Sequence, residues 1–389
     1  PKVPQAHLAV AQAAMAAGDE SVALDEVRKA RALQPDLEAA VLLEAQMLQA
    51  KSNTQALQVL GAFLQQYPGS REVRLNYART LVAEKRFDES REEFQRLMTA
   101  YPDDAEVVYA VALLSLQLRD FDRAEANLKR LLDLDFFDKS QARMYLGQIA
   151  EDKQQLPQAL QWYDEITDGP LYLNARIRHA QILSRQGQLA EARAWLQETE
   201  TNSPQQRVQL VLAEAQLLRD GGQARAAFDL VNDMLERLPN DPDLLYEHAM
   251  LAERIEKVDV LESSLRKLIG LRPENAHAYN ALGYSLADRN LRLPEARELI
   301  EQALKLAPDD AFIIDSMGWV LYRQGQVKEA IGYLQRAFAL RPDAEIAAHL
   351  GEVLWFSGER DAAERLLREA VSKAPGNEIL VNTLKRLKL

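Results

Sequence analysis

The 389-residue sequence contains no cysteine, no excess of basic residues and no long apolar run. The absence of cysteine excludes disulfides, thiol catalysis and cysteine-ligated zinc. The 47 Lys and Arg against 59 Asp and Glu give a formal charge of −12. This balance argues against nucleic acid or anionic lipid as the main partner, because both require a positive protein surface. No segment approaches the roughly 20 apolar residues of a membrane-spanning helix.

The sequence also lacks the motifs of common catalytic sites. It contains no metal-binding HExxH pair, phosphate-binding P-loop, GxGxxG or GxSxG. The acidic pairs after Pro102 and Pro308 are expected to cap helices rather than to act as paired catalytic carboxylates. The sequence therefore predicts no catalytic residue, no metal and no cofactor, and an enzyme with an overlooked site is kept as the least favoured alternative.

Glycine and proline are scarce, at 16 and 15 residues, and their placement is regular. Phe136 stands where one step of the proline series is missing, and several glycines fall about midway between prolines. A fixed period of about 34 residues is typical of a stack of two-helix repeats. The prolines of this series are Pro35, Pro68, Pro102, Pro170, Pro204, Pro239, Pro273, Pro308, Pro342 and Pro375.

Small residues recur at two positions of each period. The eighth position is Ala or Gly in every repeat except one, where it is Glu44, and the position about twelve residues later is Ala except at Ser90 and Leu261. Small side chains that face each other allow two antiparallel helices to approach closely. The pattern thus predicts a helical hairpin in each repeat.

This pattern resembles the tetratricopeptide repeat, with small residues at positions 8 and 20 and proline at position 32. The resemblance implies an all-α, right-handed superhelical solenoid that covers residues 1–389 as one unit. Eleven repeats are expected to start near residues 4, 37, 71, 105, 140, 173, 208, 242, 276, 311 and 344, with a capping helix over 378–389. The period is disturbed at residues 136–140 and 167–171, which we interpret as altered turns between repeats, and repeat nine carries an insertion around residues 289–292.

In this family the first helix of each repeat lines a groove through positions 2, 5, 9, 12 and 13. We expect Trp319, Tyr322 and Trp355 to face that groove, although such side chains could instead fill space between consecutive helices. Large aromatic side chains suit the recognition of another polypeptide. The candidate groove residues are Tyr246, Met250, Tyr284, Phe312, Asp315, Trp319, Tyr322, Arg323, Trp355 and Phe356.

Chaperone-binding members of the family hold a terminal carboxylate with a Lys or Arg at position 5. That position is Asn280, Asp315 and Ala348 in the last three repeats. The sequence therefore argues against binding of chaperone tails.

Residues 278–288 and 315–322 resemble proteobacterial tetratricopeptide lipoproteins of the cell envelope. The resemblance implies a non-enzymatic adaptor that binds a periplasmic carboxyl-terminal processing protease and delivers peptidoglycan hydrolases to it. It also implies a place at the periplasmic face of the outer membrane. Residues 1–10 show no signal peptide and the chain has no initiator Met, so we interpret the sequence as a mature or truncated chain. The resemblance implies a lipid-anchored cysteine in a preceding segment. The alternative is a structural scaffold for another envelope assembly, such as a secretin or a polysaccharide exporter, without a role in proteolysis.

Overall fold

The computed structural model describes residues 3–389, and every helix or strand assigned in that range is an α-helix. The chain divides into two compact units, one that extends to Ile182 and one that spans Leu183–Leu389. Each unit is a succession of helical hairpins, which confirms the predicted all-α repeat fold. The expectation of a single solenoid over residues 1–389 stays a prediction.

The N-terminal unit contains five hairpins, α1/α2 to α9/α10, and the division between the units falls within α11. Its helices are α1 (Pro4–Ala16), α2 (Glu20–Leu33), α3 (Glu38–Gln49), α4 (Asn53–Gln66), α5 (Arg71–Ala83), α6 (Phe87–Ala100), α7 (Ala105–Gln117), α8 (Phe121–Asp133), α9 (Lys139–Asp152), α10 (Leu156–Asp164) and α11 (Tyr172–Arg185).

The C-terminal unit contains α12, five hairpins from α13/α14 to α21/α22, and a last helix that packs against α21 and α22. Its helices are α12 (Leu189–Glu198), α13 (Pro204–Asp220), α14 (Ala224–Arg237), α15 (Pro242–Arg254), α16 (Val258–Leu271), α17 (Ala276–Asp288), α18 (Leu293–Leu306), α19 (Ala311–Arg323), α20 (Val327–Leu340), α21 (Ala344–Ser357), α22 (Arg360–Lys373) and α23 (Glu378–Leu387).

Short polar side chains begin many of the first helices of the hairpins. Asp104 accepts hydrogen bonds from two backbone N–H groups of α7, and Asp241 and Asp310 do the same for α15 and α19. Each cap satisfies N–H groups that have no partner inside the helix. This confirms that the acidic pairs after Pro102 and Pro308 cap helices, and the capping residue is the second of each pair, Asp104 and Asp310.

Ten of the predicted repeat starts agree with the observed first helices to within one residue. The exception is α13, which begins at Pro204 rather than near residue 208. We expected Pro204 to follow a second helix, but it occupies the first turn of α13 behind the Ser203 cap. Proline is well tolerated there because its missing N–H would have no helical partner. The second helix α12 is correspondingly short and ends at Glu198.

A left-handed residue turns the chain between the two helices of most repeats. Gly187, Gly222, Gly325 and Gly358 have φ between 74° and 99°, as their positions midway between prolines predicted. Glu256 takes the same place with φ 58° although it has a Cβ. The turn in residues 289–292 contains one residue more than its neighbours, and both Asn290 and Arg292 have positive φ there.

Small residues bring the two helices of a repeat into contact. A Cβ on Gly318 would lie 2.6 Å from Leu334 Cγ and 3.1 Å from the Ala330 carbonyl oxygen. At one exception, Ser90 is fully buried and its hydroxyl donates to the Ala78 carbonyl at 2.9 Å. At a second exception, the buried carboxylate of Glu44 pairs with Arg28 and Arg31 from α2. These two polar exceptions therefore bring their own hydrogen-bond partners into the helix contact, whereas the third, Leu261, is a buried apolar side chain.

Candidate functional site

The first helices of the C-terminal unit carry all ten candidate groove residues. Helix α13 packs against α15, and α19 packs between α17 and α21. We call the surface formed by α13, α15, α17, α19 and α21 the first-helix face. Beneath it, one continuous apolar core extends from Val208 to Ala363, so these helices share one core.

The candidate residues differ in how far they reach the solvent. Phe312 and Phe356 are exposed at 39% and 60%. Asp315 and Trp319 are buried, with exposed fractions of only 5% and 4%. The half-buried members are Tyr246, Met250, Tyr284, Tyr322, Arg323 and Trp355.

The expectation that Trp319 is exposed in the groove is wrong. Its indole ring stacks on the His349 imidazole with ring centroids 4.3 Å apart, and its Nε1–H donates to Asp288 Oδ1 at 3.3 Å. The Arg323 guanidinium lies over the indole ring at 5.8 Å. Trp319 thus fills space between α17, α19 and α21, which is the alternative that the sequence left open.

A chain of hydrogen bonds crosses the same three helices. His349 Nδ1 lies 2.7 Å from Asp315 Oδ2, and His349 Nε2 lies 3.2 Å from the Tyr284 hydroxyl oxygen. Burial by itself would lower the pKa of His349, but the adjacent Asp315 carboxylate, helped by Asp288 and Glu352, raises it. When the imidazole is protonated, both of its N–H groups donate, one to Asp315 and one to Tyr284.

Sequence reasoning did not assign a role to His349. The available signal was its separation from Asp315 by 34 residues, one repeat, which sets the two residues on neighbouring first helices. Polar residues one period apart on buried first-helix positions are therefore candidates for such pairs.

Two further carboxylates flank this network on α21. Burial raises the pKa of Glu352, although Arg386 from α23 pairs with it. Loss of solvent and the nearby Asp343 raise the pKa of Glu345. Burial, together with Asp288, Asp315, Glu345 and Glu253, raises the pKa of the Tyr284 hydroxyl. The centre of the first-helix face is therefore strongly acidic.

A cleft of about 600 Å³ opens where α13, α15 and the start of α17 meet. Tyr246 forms part of its wall, and burial raises the pKa of the Tyr246 hydroxyl. This size is sufficient for a large side chain of a bound polypeptide. The cleft is lined by Leu212, Gln216, Pro242, Asp243, Tyr246, Glu247, Asn275 and His277.

Arginines lie over the aromatic rings near the end of the chain. The Arg341 guanidinium is 4.8 Å from the centroid of the Phe312 ring, and that of Arg360 is 5.2 Å from Trp355. Such pairs keep large rings in place at the surface. The face thus offers ordered aromatic contact area together with hydrogen-bonding groups, which is the chemistry of a protein-binding surface.

The part of the chain that the structure describes, residues 3–389, contains no group of three or more His, Asp or Glu side chains that could hold a metal ion. Among the same residues, no helix is both long enough and apolar enough to cross a membrane.

Models of the tetratricopeptide repeat match residues 47–114, 109–172, 173–198, 246–311 and 321–387. Together these segments cover more than half of the chain. The chain belongs to the tetratricopeptide repeat family. Members of this family are generally non-catalytic scaffolds for protein–protein interaction, and the matches indicate no enzyme family.

Two relatives are similar over large parts of this chain. The TPR repeat-containing protein PA4667 of Pseudomonas aeruginosa is 39% identical over 246 residues, which are 63% of this chain and 42% of that protein. Cellulose synthase operon protein C of Pseudomonas fluorescens is 24% identical over 330 residues, which are 81% of this chain and 24% of that protein. The chain therefore matches less than half of the length of either relative.

Among solved structures, yeast Tom70 covers 99% of this chain, and this chain covers 88% of it, at 16% identity and a TM-score of 0.49. The protein TTC0263 of Thermus thermophilus covers 46% of this chain, with 99% of its own length matched, at 24% identity and a TM-score of 0.43.

Proposed function

We propose that this chain is a non-enzymatic adaptor that binds a carboxyl-terminal processing protease and delivers peptidoglycan hydrolases to it. Its partners would then meet it at the periplasmic face of the outer membrane, where a lipid anchor in a preceding segment would hold it. The proposal rests on the resemblance of residues 278–288 and 315–322 to envelope lipoproteins such as LbcA, the outer-membrane lipoprotein partner of the protease CtpA. The observation that supports polypeptide binding is the cluster of ordered aromatic side chains on the first-helix face.

The surface available for a substrate differs from the one expected from sequence. Trp319 is buried, whereas Tyr322 and Trp355 are half-buried rings that can contact a partner without unpacking the core. Phe312 and Phe356 extend this surface at its exposed edge. We propose that these four rings hold a segment of the substrate, while the protease binds elsewhere on the chain.

A second candidate is a scaffold for an envelope assembly that exports polysaccharide. The similarity to cellulose synthase operon protein C, which extends over 81% of this chain, favours it. In that case the same first-helix face would bind a subunit of the export assembly, and no protein would be degraded.

Affinity purification from a periplasmic extract distinguishes the two candidates. The tagged chain is used as bait in extracts that contain either an active or a catalytically inactivated carboxyl-terminal processing protease, and bound proteins are identified by mass spectrometry. The adaptor model predicts that the protease is recovered in both extracts and that peptidoglycan hydrolases accumulate only with the inactive protease. Recovery of export components without the protease would refute the adaptor model and support the scaffold.

A further inference from the structure

The turn between α8 and α9 differs in sequence from the other turns between repeats. It contains no proline, and Phe136 stands where the series proline is expected. The residue that follows a series proline is polar or glycine with one exception, the half-buried Leu171. In the turn between α8 and α9 that residue is Phe137, so a large aromatic side chain occupies a position that is otherwise mostly polar.

The two phenylalanines of this turn have opposite environments. Phe136 is 6% exposed, and its ring lies 5.0 Å from the Tyr109 ring of α7 in the core of the N-terminal unit. Phe137 is 92% exposed, and its ring centroid lies 4.9 Å from that of Phe136. Partly exposed apolar side chains are common on protein surfaces and need no explanation. The ring of Phe137, in contrast, lies almost wholly in solvent, so it contributes little to folding.

Hydrogen bonds hold the backbone on both sides of the exposed ring. The Phe136 N–H donates to the Leu134 carbonyl oxygen at 2.9 Å. Asp138 begins α9 by accepting a hydrogen bond from the Gln141 N–H at 2.9 Å. A partner that binds Phe137 therefore has to order little of the chain, which lowers the entropic cost of binding.

Carboxylates flank the exposed ring. Segment 131–140 contains three aspartates and one lysine. Asp133 and Asp135 are exposed, and in the described part of the chain no Lys or Arg forms an ion pair with either of them. The preceding Arg130 pairs with Asp103 instead, at 2.8 Å. The surface that complements this turn is an apolar pocket with Lys or Arg side chains at its rim.

We propose that Phe137 is the anchor through which the N-terminal unit binds the protease, by insertion of its ring into an apolar pocket that basic side chains surround. A buried aromatic anchor supplies a large contact area, and the surrounding charges steer the encounter of the two proteins. Phe137 belongs to the N-terminal unit, whereas the four rings assigned to the substrate belong to the C-terminal unit, so the two partners use different residues. This inference rests on the proposed function, because it takes the protease as a partner, and it adds the residue and the chemistry of that contact.

The test measures binding of the full chain to the purified, catalytically inactivated protease by surface plasmon resonance. Phe137→Ser removes the ring, and Phe137→Leu keeps an apolar side chain at the same place. Asp133→Asn with Asp135→Asn removes two charges and preserves the shape of the side chains. The matched control is Leu33→Ser, which replaces a side chain that is 48% exposed at the end of α2 in the same unit. Circular dichroism should be the same for all variants, because the substituted side chains are exposed.

The inference predicts that Phe137→Ser binds the protease at least about 30-fold more weakly, mainly through faster dissociation, and that Phe137→Leu loses less. The double aspartate variant should associate more slowly, and its binding should depend less on salt, because charges at the rim of an interface act mainly on the association rate. Leu33→Ser should bind like the wild type.

Three results would contradict these expectations in different ways. If Phe137→Ser binds the protease like the wild type, or if Leu33→Ser loses as much affinity, the inference is overturned and the proposed function stands. An unchanged association rate in the double aspartate variant would overturn the assignment of a basic rim to the pocket. Failure of the wild type to bind the protease would overturn the proposed function, and the inference with it.

Discussion

Glycine allows two helices to pack closely in four of the repeats. Gly147, Gly283, Gly318 and Gly351 each lie where a Cβ would collide with the second helix of the same repeat. At Gly318 the obstacles are the Leu334 side chain and the Ala330 carbonyl oxygen. The second of these belongs to the backbone, so the helices can accommodate a methyl group there only by moving apart.

Gly318→Ala is therefore expected to lower the free energy of unfolding of the C-terminal unit by about 1–3 kcal/mol, as overpacking in a core does. Gly318→Leu should cost at least as much. Urea unfolding followed by circular dichroism measures the change. Because neighbouring repeats stabilise each other, amide hydrogen exchange should rise first in α17–α22. An even rise over the whole chain would contradict the modular packing.

Gly332 provides the matched control for this prediction. It lies on α20 of the same repeat, and a Cβ at this position would meet nothing within 4 Å. Gly332→Ala should raise the free energy of unfolding by about 0.5–1 kcal/mol, because alanine loses less backbone entropy in a helix. If both substitutions destabilise equally, the contact at Gly318 is not the cause.

At the scale of elements, the bonded chain of Tyr284, His349 and Asp315 joins three first helices. The groups that face the imidazole are Tyr284 and Asp288 from α17, Asp315 and Trp319 from α19, and Glu345 and Glu352 from α21. Since the pKa of His349 is raised on folding, its proton stabilises the folded state. That contribution is complete below the unfolded pKa of about 6.5 and is lost as pH rises through the higher folded pKa.

The C-terminal unit is thus expected to lose stability as the pH rises above about 6.5, through the raised folded pKa of His349. The raised pKa values of Glu345 and Glu352 have the same sign, and they act at lower pH. Urea-unfolding midpoints measured over this range should fall more steeply for the wild type than for His349→Gln. The exposed His277 is the control, and His277→Gln should follow the wild type. If the urea midpoint fell equally steeply with pH in all three proteins, Asp315 would not raise the pKa of His349 in the folded state.

The helix boundaries could be predicted from the sequence because proline, glycine and capping residues each act within a few residues of the chain. Pro204 was misinterpreted because a proline can follow one helix or begin the next, and only the short α12 decides between these. The burial of Trp319 could not be predicted, since it depends on His349 from the following repeat and Asp288 from the preceding one. Family positions identify the face of a helix, but not which large side chain a neighbouring repeat will cover.

At the scale of the whole molecule, the two units offer different surfaces to a partner. The first helices of the N-terminal unit are nearly balanced in charge, whereas those of the C-terminal unit combine aromatic rings with excess carboxylates. An adaptor must hold a protease and a substrate at the same time. This difference in surface chemistry supports assigning substrate capture to the C-terminal unit and protease binding to another part of the chain.

The central claim is tested most directly by a reconstituted degradation assay with purified chain, carboxyl-terminal processing protease and a labelled peptidoglycan hydrolase. Tyr322→Ala with Trp355→Ala removes two half-buried rings, and each such anchor typically contributes about 2–4 kcal/mol to binding, or roughly 30- to 1,000-fold in affinity. Leu340→Ala, which truncates an exposed apolar residue on α20, is the control. We predict that the double variant loses hydrolase capture and degradation but keeps its helical circular dichroism and binds the protease like the control. Unchanged degradation, or equal loss of protease and hydrolase binding in a folded variant, would contradict the account.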